Sequence, residues 1–200
     1  MLELEQRINQ WIEQNISEYK IELASPILMF SHIGSRNISR MVIGSLFALV
    51  LISFLLMLAF KSIKLGLISL IPNLVPAGIA FGVWGLIDGQ IGLGLSVVTG
   101  LTLGIVVDDT VHFISKYRRA RKEKGLSSEE AVRYAFSTVG VALWITSIVL
   151  VTGFMVLSLS HFSMNAEMGL MTAITITVAL FLDLLFLPPL LMSLDKKTLN

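Results

Sequence analysis

Long apolar stretches alternate with short polar connections along most of the chain. Five of these stretches reach the length of about 20 residues that a helix needs to cross the hydrocarbon core of a bilayer. They occupy residues 41–60, 65–87, 91–115, 140–160 and 166–192. Before them, Leu4, Ile8, Ile12 and Ile16 are spaced four apart, which predicts an amphipathic helix over residues 2–18. The pattern as a whole predicts an all-α membrane protein with five transmembrane helices.

The composition agrees with the pattern. Hydrophobic residues make up 54% of the 200 residues and charged residues 14%, against about 25% charged in an ordinary soluble domain. The mean hydropathy is +0.81. These values exclude a soluble enzyme, a disordered chain and a nucleic-acid-binding domain, so the bilayer itself is the first expected partner. The absence of cysteine excludes disulfides and thiolate metal sites, and we expect neither an enzymatic activity nor a metal.

The basic residues mark one side of the membrane. Two of the four connections between spans carry lysine or arginine, and so does the tail at 196–200. These residues are Lys61, Lys64, Lys116, Arg118, Arg119, Arg121, Lys122, Lys124, Arg133, Lys196 and Lys197. With alternating spans they all fall on one face, which the positive-inside rule makes cytoplasmic. We therefore predict a multi-pass plasma-membrane protein with its N-terminus outside and its C-terminus inside.

Residues 1–40 then lie outside without an export signal of their own, because no basic segment precedes an apolar one. We interpret them as the end of an extracytoplasmic domain plus a lead-in helix. A weak alternation over residues 19–23 predicts a short strand, and a second short helix is predicted after Pro26. We infer that the chain is the C-terminal part of a longer protein; the alternative is a complete small protein.

The connection at residues 116–139 predicts an amphipathic helix on the inner membrane surface, capped by Ser127 or Ser128. Glu129 and Glu130 fall in its first turn, where carboxylates suit the helix dipole. Its basic residues would bind anionic lipid without specificity.

The third span, residues 91–115, carries the polar residues that point to a function. Gly104, Asp108 and His112 are four apart and share one helical face, with Thr102 and Asp109 on an adjoining face. Gly100 and Gly104 form a pair of small residues, which predicts close packing against another helix.

Asp108 lies eight residues before Lys116, about 12 Å along the helix and below the headgroups. Two ionised carboxylates are costly there, and the spans contain no lysine or arginine to pair with them. They must be neutralised by protons, by a bound cation or by a group from elsewhere. Intramembrane acids are frequent proton relays, so we interpret Asp108, Asp109 and His112 as relay residues.

The other polar residues of the spans are interpreted as functional, as structural or as either. Asp183 lies deep in the last span before Pro188 and Pro189, and both Asp183 and Thr102 are candidates for either a second relay or a structural role. Asn73, between two prolines of the second span, is interpreted as satisfying backbone groups that a kink would free. Thr110 is interpreted as a helix-packing hydroxyl.

The run Gly104-Ile-Val-Val-Asp108-Asp109-Thr-Val-His112-Phe, followed by Ser-Lys-Tyr-Arg-Arg, resembles the fourth-helix signature of the resistance-nodulation-cell division (RND) superfamily. It is most similar to the MMPL-type exporters, which are related to sterol-sensing-domain proteins. Residues 60–76 resemble the loop and helix that precede this signature, and residues 181–191 resemble the last helix. The resemblance covers residues 20–194.

In that family each half has one helix, a large extracytoplasmic domain of α+β porter type and then five helices. The resemblance implies that this chain is the end of such a domain plus five helices of the bacterial inner membrane. A missing N-terminal half or a second copy would complete it, so an oligomer is expected. The resemblance also implies export of hydrophobic or amphiphilic molecules or lipids, driven by the proton-motive force, with protons as the coupling ion and no other cofactor.

Two other functions stay open. The chain could be a lipid-sensing or partner-binding membrane module that does not transport, with acids that are only structural. It could also be an intramembrane aspartyl protease that pairs Asp108 or Asp109 with Asp183, although the third span lacks a Gly-x-Gly-Asp pattern.

Overall fold

The computed structural model describes residues 2–16, 21, 23–87, 89 and 93–196, and within them the regular structure is entirely helical. Five helical segments of this part of the chain are long and apolar enough to cross a membrane. The prediction of an all-α membrane protein with five spans is therefore confirmed. The short strand predicted over residues 19–23 lies mostly outside the described residues.

The first span is the C-terminal part of a much longer helix. Helix α1 comprises Leu2–Asn15, and α2 runs without a break over Pro26–Phe60, about 50 Å. The Ser25 hydroxyl caps α2 by accepting from the Ile27 N–H, and Pro26 takes a first-turn position where its missing N–H costs nothing. The helix predicted after Pro26 is thus continuous with the span at 41–60. It ends at Lys61, whose left-handed φ of 45° turns the chain.

The second span consists of the short helix α3 (Ile63–Ile68) and the longer α4 (Leu70–Ile87). Between them Ser69 is fully buried, and its hydroxyl donates to the Gly66 carbonyl at 2.8 Å. Pro76 lies inside α4, where it cannot donate a hydrogen bond to the carbonyl of Pro72. The interruption of this span therefore lies at Ser69, and α4 continues as a helix through Asn73 and Pro76.

Spans three and four extend into the connection between them. Helix α5 comprises Leu93–Glu123, and after a short turn α6 (Ser128–Ala135) leads through a π-helical segment, Phe136–Gly140, into α7 (Val141–Ser158). The N-cap of α6 is Ser127, and its hydroxyl and Glu130 form a reciprocal capping box. The connection at 116–139 is thus largely two helical extensions.

The amphipathic helix predicted within this connection is present as α6, and its apolar face packs on α5; its position on the inner membrane surface stays a prediction. The apolar residues of α6, Ala131, Val132 and Ala135, are buried in a cluster with Tyr117 and Ala120 of α5. This follows from the length of α5, which continues past the predicted end of its span and presents an apolar stripe to α6. Of the basic residues of the connection, Arg119, Lys122, Lys124 and Arg133 are exposed, and Lys116, Arg118 and Arg121 are half-buried.

The fifth span also contains a π-helical segment. Helix α8 comprises Ser163–Phe181, followed by the π segment Leu182–Phe186 and by α9 (Leu187–Lys196). The prolines at 188 and 189 cannot donate to the preceding turn, and the Leu187 N–H reaches back five residues to the Leu182 carbonyl. The wider turn that results contains Asp183.

Two apolar clusters hold the bundle together at its two ends. The cluster near the basic end joins α2, α5, α6, α7 and α9, with Phe60, Phe113 and Leu187 nearly inaccessible to solvent. The cluster at the other end joins α4, α5 and α8 through Trp84, Leu95 and Met171. Between the two levels lies a layer of buried polar side chains.

Candidate functional site

The polar layer centres on three buried side chains from three helices. Asn73 of α4, Thr110 of α5 and Asp183 of the π segment are 2%, 0% and 1% exposed. The Thr110 Oγ1 lies 3.0 Å from Asn73 Oδ1 and 2.9 Å from Asp183 Oδ1. One threonine hydroxyl therefore links an amide and a carboxyl that are far apart in sequence. We call these three residues the polar triad.

The triad is only partly satisfied by hydrogen bonds. Asp183 Oδ2 and Asn73 Nδ2 are buried and have no hydrogen-bond partner among the described residues. Leaving a buried polar group unpaired costs roughly 1–3 kcal/mol, and more for a charged one. Native structures contain few such groups, and each of them calls for an explanation. A permanent negative charge on Asp183 would raise this cost further, so the site favours a neutral carboxyl.

The two acids of α5 point in different directions. Asp109 is half-buried and interacts electrostatically with Asp183 on one side and with Asp108 and His112 on the other. The Asp108 side chain is 72% exposed, and its Oδ1 lies 3.4 Å from His112 Nε2. The predicted relay residues thus differ in exposure: Asp109 is half-buried, whereas Asp108 and His112 lie on an uncovered face of α5, which is defined by Gly100, Gly104, Asp108 and His112.

The predicted packing role of the two glycines is not found within this chain. No described residue comes within 4 Å of a Cβ placed on Gly100 or on Gly104. The reason is that both lie on the uncovered face. A close helix contact occurs instead at Gly169 of α8, where a Cβ would lie 2.7 Å from the Phe154 carbonyl oxygen of α7.

Thr102 and Asp183, the two candidates for either a second relay or a structural role, have different surroundings in the structure. The buried Thr102 hydroxyl donates to the Val98 carbonyl of its own helix at 2.8 Å, an ordinary packing arrangement. Asp183, in contrast, faces Thr110 and interacts with Asp109. The structure brings Asp183 into the site and leaves Thr102 two turns away along α5.

The roles of Asn73 and Thr110 differ from those predicted. Among the described residues the Asn73 Nδ2 donates to no backbone carbonyl, and its Oδ1 faces Thr110, whose hydroxyl also contacts Asp183 and does not merely pack. A signal was present, because Asn73 and Asp183 are both polar residues in apolar spans that contain prolines: Asn73 directly follows Pro72, and Asp183 lies five residues before Pro188. Hydropathy could not indicate that Asn73 and Asp183 lie at the same height in the bundle as Thr110.

A separate apolar cavity of about 270 Å³ opens beside α2, away from the polar triad. It is lined by Ile38, Met41, Val42, Ser45, Leu46, Leu49, Phe81 and Thr99. These residues come from α2, α4 and α5, so the cavity lies between the first three spans. Its lining can accommodate a hydrocarbon group and offers few polar contacts.

Comparison with known proteins agrees with these features. The model of the MMPL family matches residues 4–198. A protein of Methanocaldococcus jannaschii that is named only as a membrane protein is 27% identical over 140 residues, which cover 70% of this chain and 36% of that protein. The aligned part of the chain therefore spans about a third of the length of this relative. Since the family model covers nearly the whole chain, the chain belongs to the MMPL family.

Proposed function

We propose that the chain is the membrane part of an exporter of hydrophobic or amphiphilic molecules that is driven by the proton-motive force. The observation that carries the proposal is a set of three carboxyl groups, Asp108, Asp109 and Asp183, away from the ends of spans 91–115 and 166–192, which contain no lysine or arginine. Two of the three are half-buried or buried. Protons are the simplest means of neutralising such groups in a membrane.

The arrangement of the acids supports a coupling role. Asp109 interacts with both Asp108 and Asp183, so a proton gained or lost at one carboxyl changes the electrostatic energy at the next. Protonation removes a buried charge and alters which packing of α5 against its neighbours is favoured. Movement of α5 would then be transmitted to α4 and to the π segment that follows α8, which contact α5 through the polar triad.

The uncovered face of α5 supports a partner surface. A carboxyl as exposed as that of Asp108 would be costly in contact with lipid chains. Open space beside Gly100 and Gly104 would let another helix approach closely. We propose that an N-terminal half or a second copy covers this face, and the greater length of the relative is consistent with the first.

The ends of the helices support the proposed orientation. The Arg118 guanidinium carbon lies 5.8 Å from the centre of the Phe60 ring, so the basic end of α5 and the C-terminal end of α2 lie on the same side. Lys61 and the basic connection thus share one side, as the positive-inside rule requires of a cytoplasmic face. We propose a bacterial inner-membrane protein with an extracytoplasmic N-terminus and a cytoplasmic C-terminus.

The proposal is tested by Asp109→Asn in the protein in its native membrane. A pH gradient is imposed on inverted vesicles, and the transport of a fluorescent amphiphile is followed. We expect the rate of gradient-driven transport to fall by about 100-fold or more in the variant, because an amide does not bind and release a proton as a carboxyl group does. Glu129→Gln is the matched control, since it removes a carboxyl on α6 that pairs with Arg133 away from the site. Full transport by both Asp109→Asn and Asp108→Asn would refute the proposal.

The apolar cavity favours one alternative, a lipid-sensing module that does not transport. Its lining between α2, α4 and α5 could hold a lipid chain without any proton coupling. Leu46→Trp would fill the cavity and Asp109→Asn would remove the acid. If the Leu46→Trp variant loses lipid-dependent function while Asp109→Asn keeps it, sensing is favoured over transport. Loss of function in both variants fits the exporter.

A further inference from the structure

The polar triad contains two oxygen–oxygen contacts at hydrogen-bond distance, and the Thr110 hydroxyl has a hydrogen for only one of them. Thr110 Oγ1 lies within hydrogen-bond distance of two acceptor oxygens, Asn73 Oδ1 and Asp183 Oδ1. A hydroxyl has one hydrogen and can donate it to only one of them. The second contact therefore needs a hydrogen supplied from the other side, by either Asp183 or Asn73.

One solution places a proton on Asp183. The protonated carboxyl donates to Thr110 Oγ1, and the Thr110 hydroxyl donates to Asn73 Oδ1. Both contacts are then hydrogen bonds, and no charge is buried. This arrangement suits a carboxyl that is 1% exposed and whose Oδ2 has no partner in the described part of the chain.

The other solution belongs to the ionised carboxylate. Thr110 must then donate to Asp183, and its oxygen can accept only from Asn73. A half-turn of the Asn73 amide exchanges its oxygen for its NH₂ group, which has no hydrogen-bond partner within the described residues in the present arrangement. The order of donation along the three side chains is thereby reversed.

We propose that Asn73, Thr110 and Asp183 form a reversible hydrogen-bond chain in which Asp183 holds the proton and the direction of donation reports its charge. Asp183 releases its proton to water or to Asp109, the carboxyl group among the described residues with which it interacts electrostatically. Thr110 and Asn73 neither gain nor lose a proton; the hydroxyl rotates and the amide turns. The use of this chain in transport rests on the proposed function, but its titration does not.

The helices that carry the two ends of the hydrogen-bond chain, Asp183 and Asn73, both lack some backbone hydrogen bonds and are suited to such a change. Asp183 lies in the π segment Leu182–Phe186, where Pro188 and Pro189 remove two hydrogen-bond donors. On the other side, Pro76 leaves the helix that carries Asn73 without one bond of its ladder. Reversal of the hydrogen-bond chain would therefore act on α4 and on the α8–α9 junction where their helical hydrogen bonding is already interrupted.

Infrared difference spectroscopy of the full chain in lipid nanodiscs tests the proposal without any substrate. We expect a pH-dependent C=O band of a protonated carboxylic acid that disappears in Asp183→Asn and persists in Asp108→Asn. A side-chain amide band should change in the same titration and be lost in Asn73→Leu. In Thr110→Val, which removes the hydroxyl at similar volume, the acid band should shift to the frequency of a carboxyl without that hydrogen bond and the amide should stop responding.

Thr110→Ser keeps the hydroxyl and should restore both bands, which separates loss of the chain from misfolding. The absence of any acid band assignable to Asp183 would overturn the proposal, and so would an acid and amide response that Thr110→Val leaves unchanged. If the bands behave as expected but a pH gradient does not drive transport in the native protein, the proposed exporter function fails while the hydrogen-bond chain stands.

Discussion

On one face of α5, Thr110 and Phe113 are fully buried among the helices of this chain; on the other, Gly104, Asp108 and His112 are exposed. Both faces carry polar residues at the same level along α5. The first face has neighbours that supply hydrogen bonds and packing, whereas the second has none within the described residues. A single helix thus contributes both to the interior of this bundle and to an exposed polar surface, which we propose is covered by another protein.

The largest difference is expected in stability. Phe113 is inaccessible to solvent and packs edge-to-face on Phe136, with ring centres 5.1 Å apart. Phe113→Ala should lower the free energy of unfolding by about 3 kcal/mol, because it leaves a cavity in the apolar cluster. Leu101→Ala, on the more open side of α5, should change it by less than about 0.5 kcal/mol.

Both values can be measured by unfolding the purified chain in mixed micelles with increasing sodium dodecyl sulfate and following the helical circular dichroism signal. Equal losses of stability in Phe113→Ala and Leu101→Ala would mean that the two sides of α5 are packed alike, and the comparison would no longer hold.

The sequence predicts the spans well because each is an apolar run of sufficient length, a local property. It predicts the helix ends less well, since Lys116 to Glu123 continue α5 although they are charged. Polar residues of high helix propensity extend a helix beyond the membrane without leaving a signal in hydropathy. The packing of α6 was not predicted for the same reason, because its apolar face contacts this extension of α5.

The site was only partly predictable. Asp108, Asp109 and Asp183 stand out because an acid in an apolar span is rare. The roles of Asn73 and Thr110 depend on how three helices are rotated and shifted against one another, across sequence separations of 37 and 73 residues. The same limit explains the glycines, because Gly104 and Gly169 are similar as sequence signals and differ only in what faces them.

An intermediate effect is expected at the uncovered face of α5. Gly104→Leu should leave the stability of the isolated chain within about 0.5 kcal/mol of the original, since no described residue lies within 4 Å of the added Cβ. In the native membrane it should reduce proton-driven transport by about tenfold, because a bulky side chain separates two closely packed helices.

Gly153→Leu is the matched control, since Gly153 of α7 also faces open space. It should change neither quantity. The two variants are compared by unfolding of the chain in micelles and by transport in inverted vesicles. Unchanged transport in Gly104→Leu would indicate that no protein surface covers this face and would weaken the proposed partner.

The smallest effect is expected at His112. Its Nε2 lies 3.4 Å from Asp108 Oδ1, and both side chains are well exposed, so the pair contributes little to stability. As a relay residue near the end of the span, His112 would speed proton entry without being required for it. His112→Gln should therefore slow gradient-driven transport severalfold, an effect near the low end of the range for a general acid–base group. His161→Gln, in the exposed turn before α8, removes an imidazole away from the acids and should have no effect. Initial rates of transport for the two variants at several imposed gradients decide the matter, because a His112→Gln rate equal to that of His161→Gln would confine the relay to the carboxyl groups.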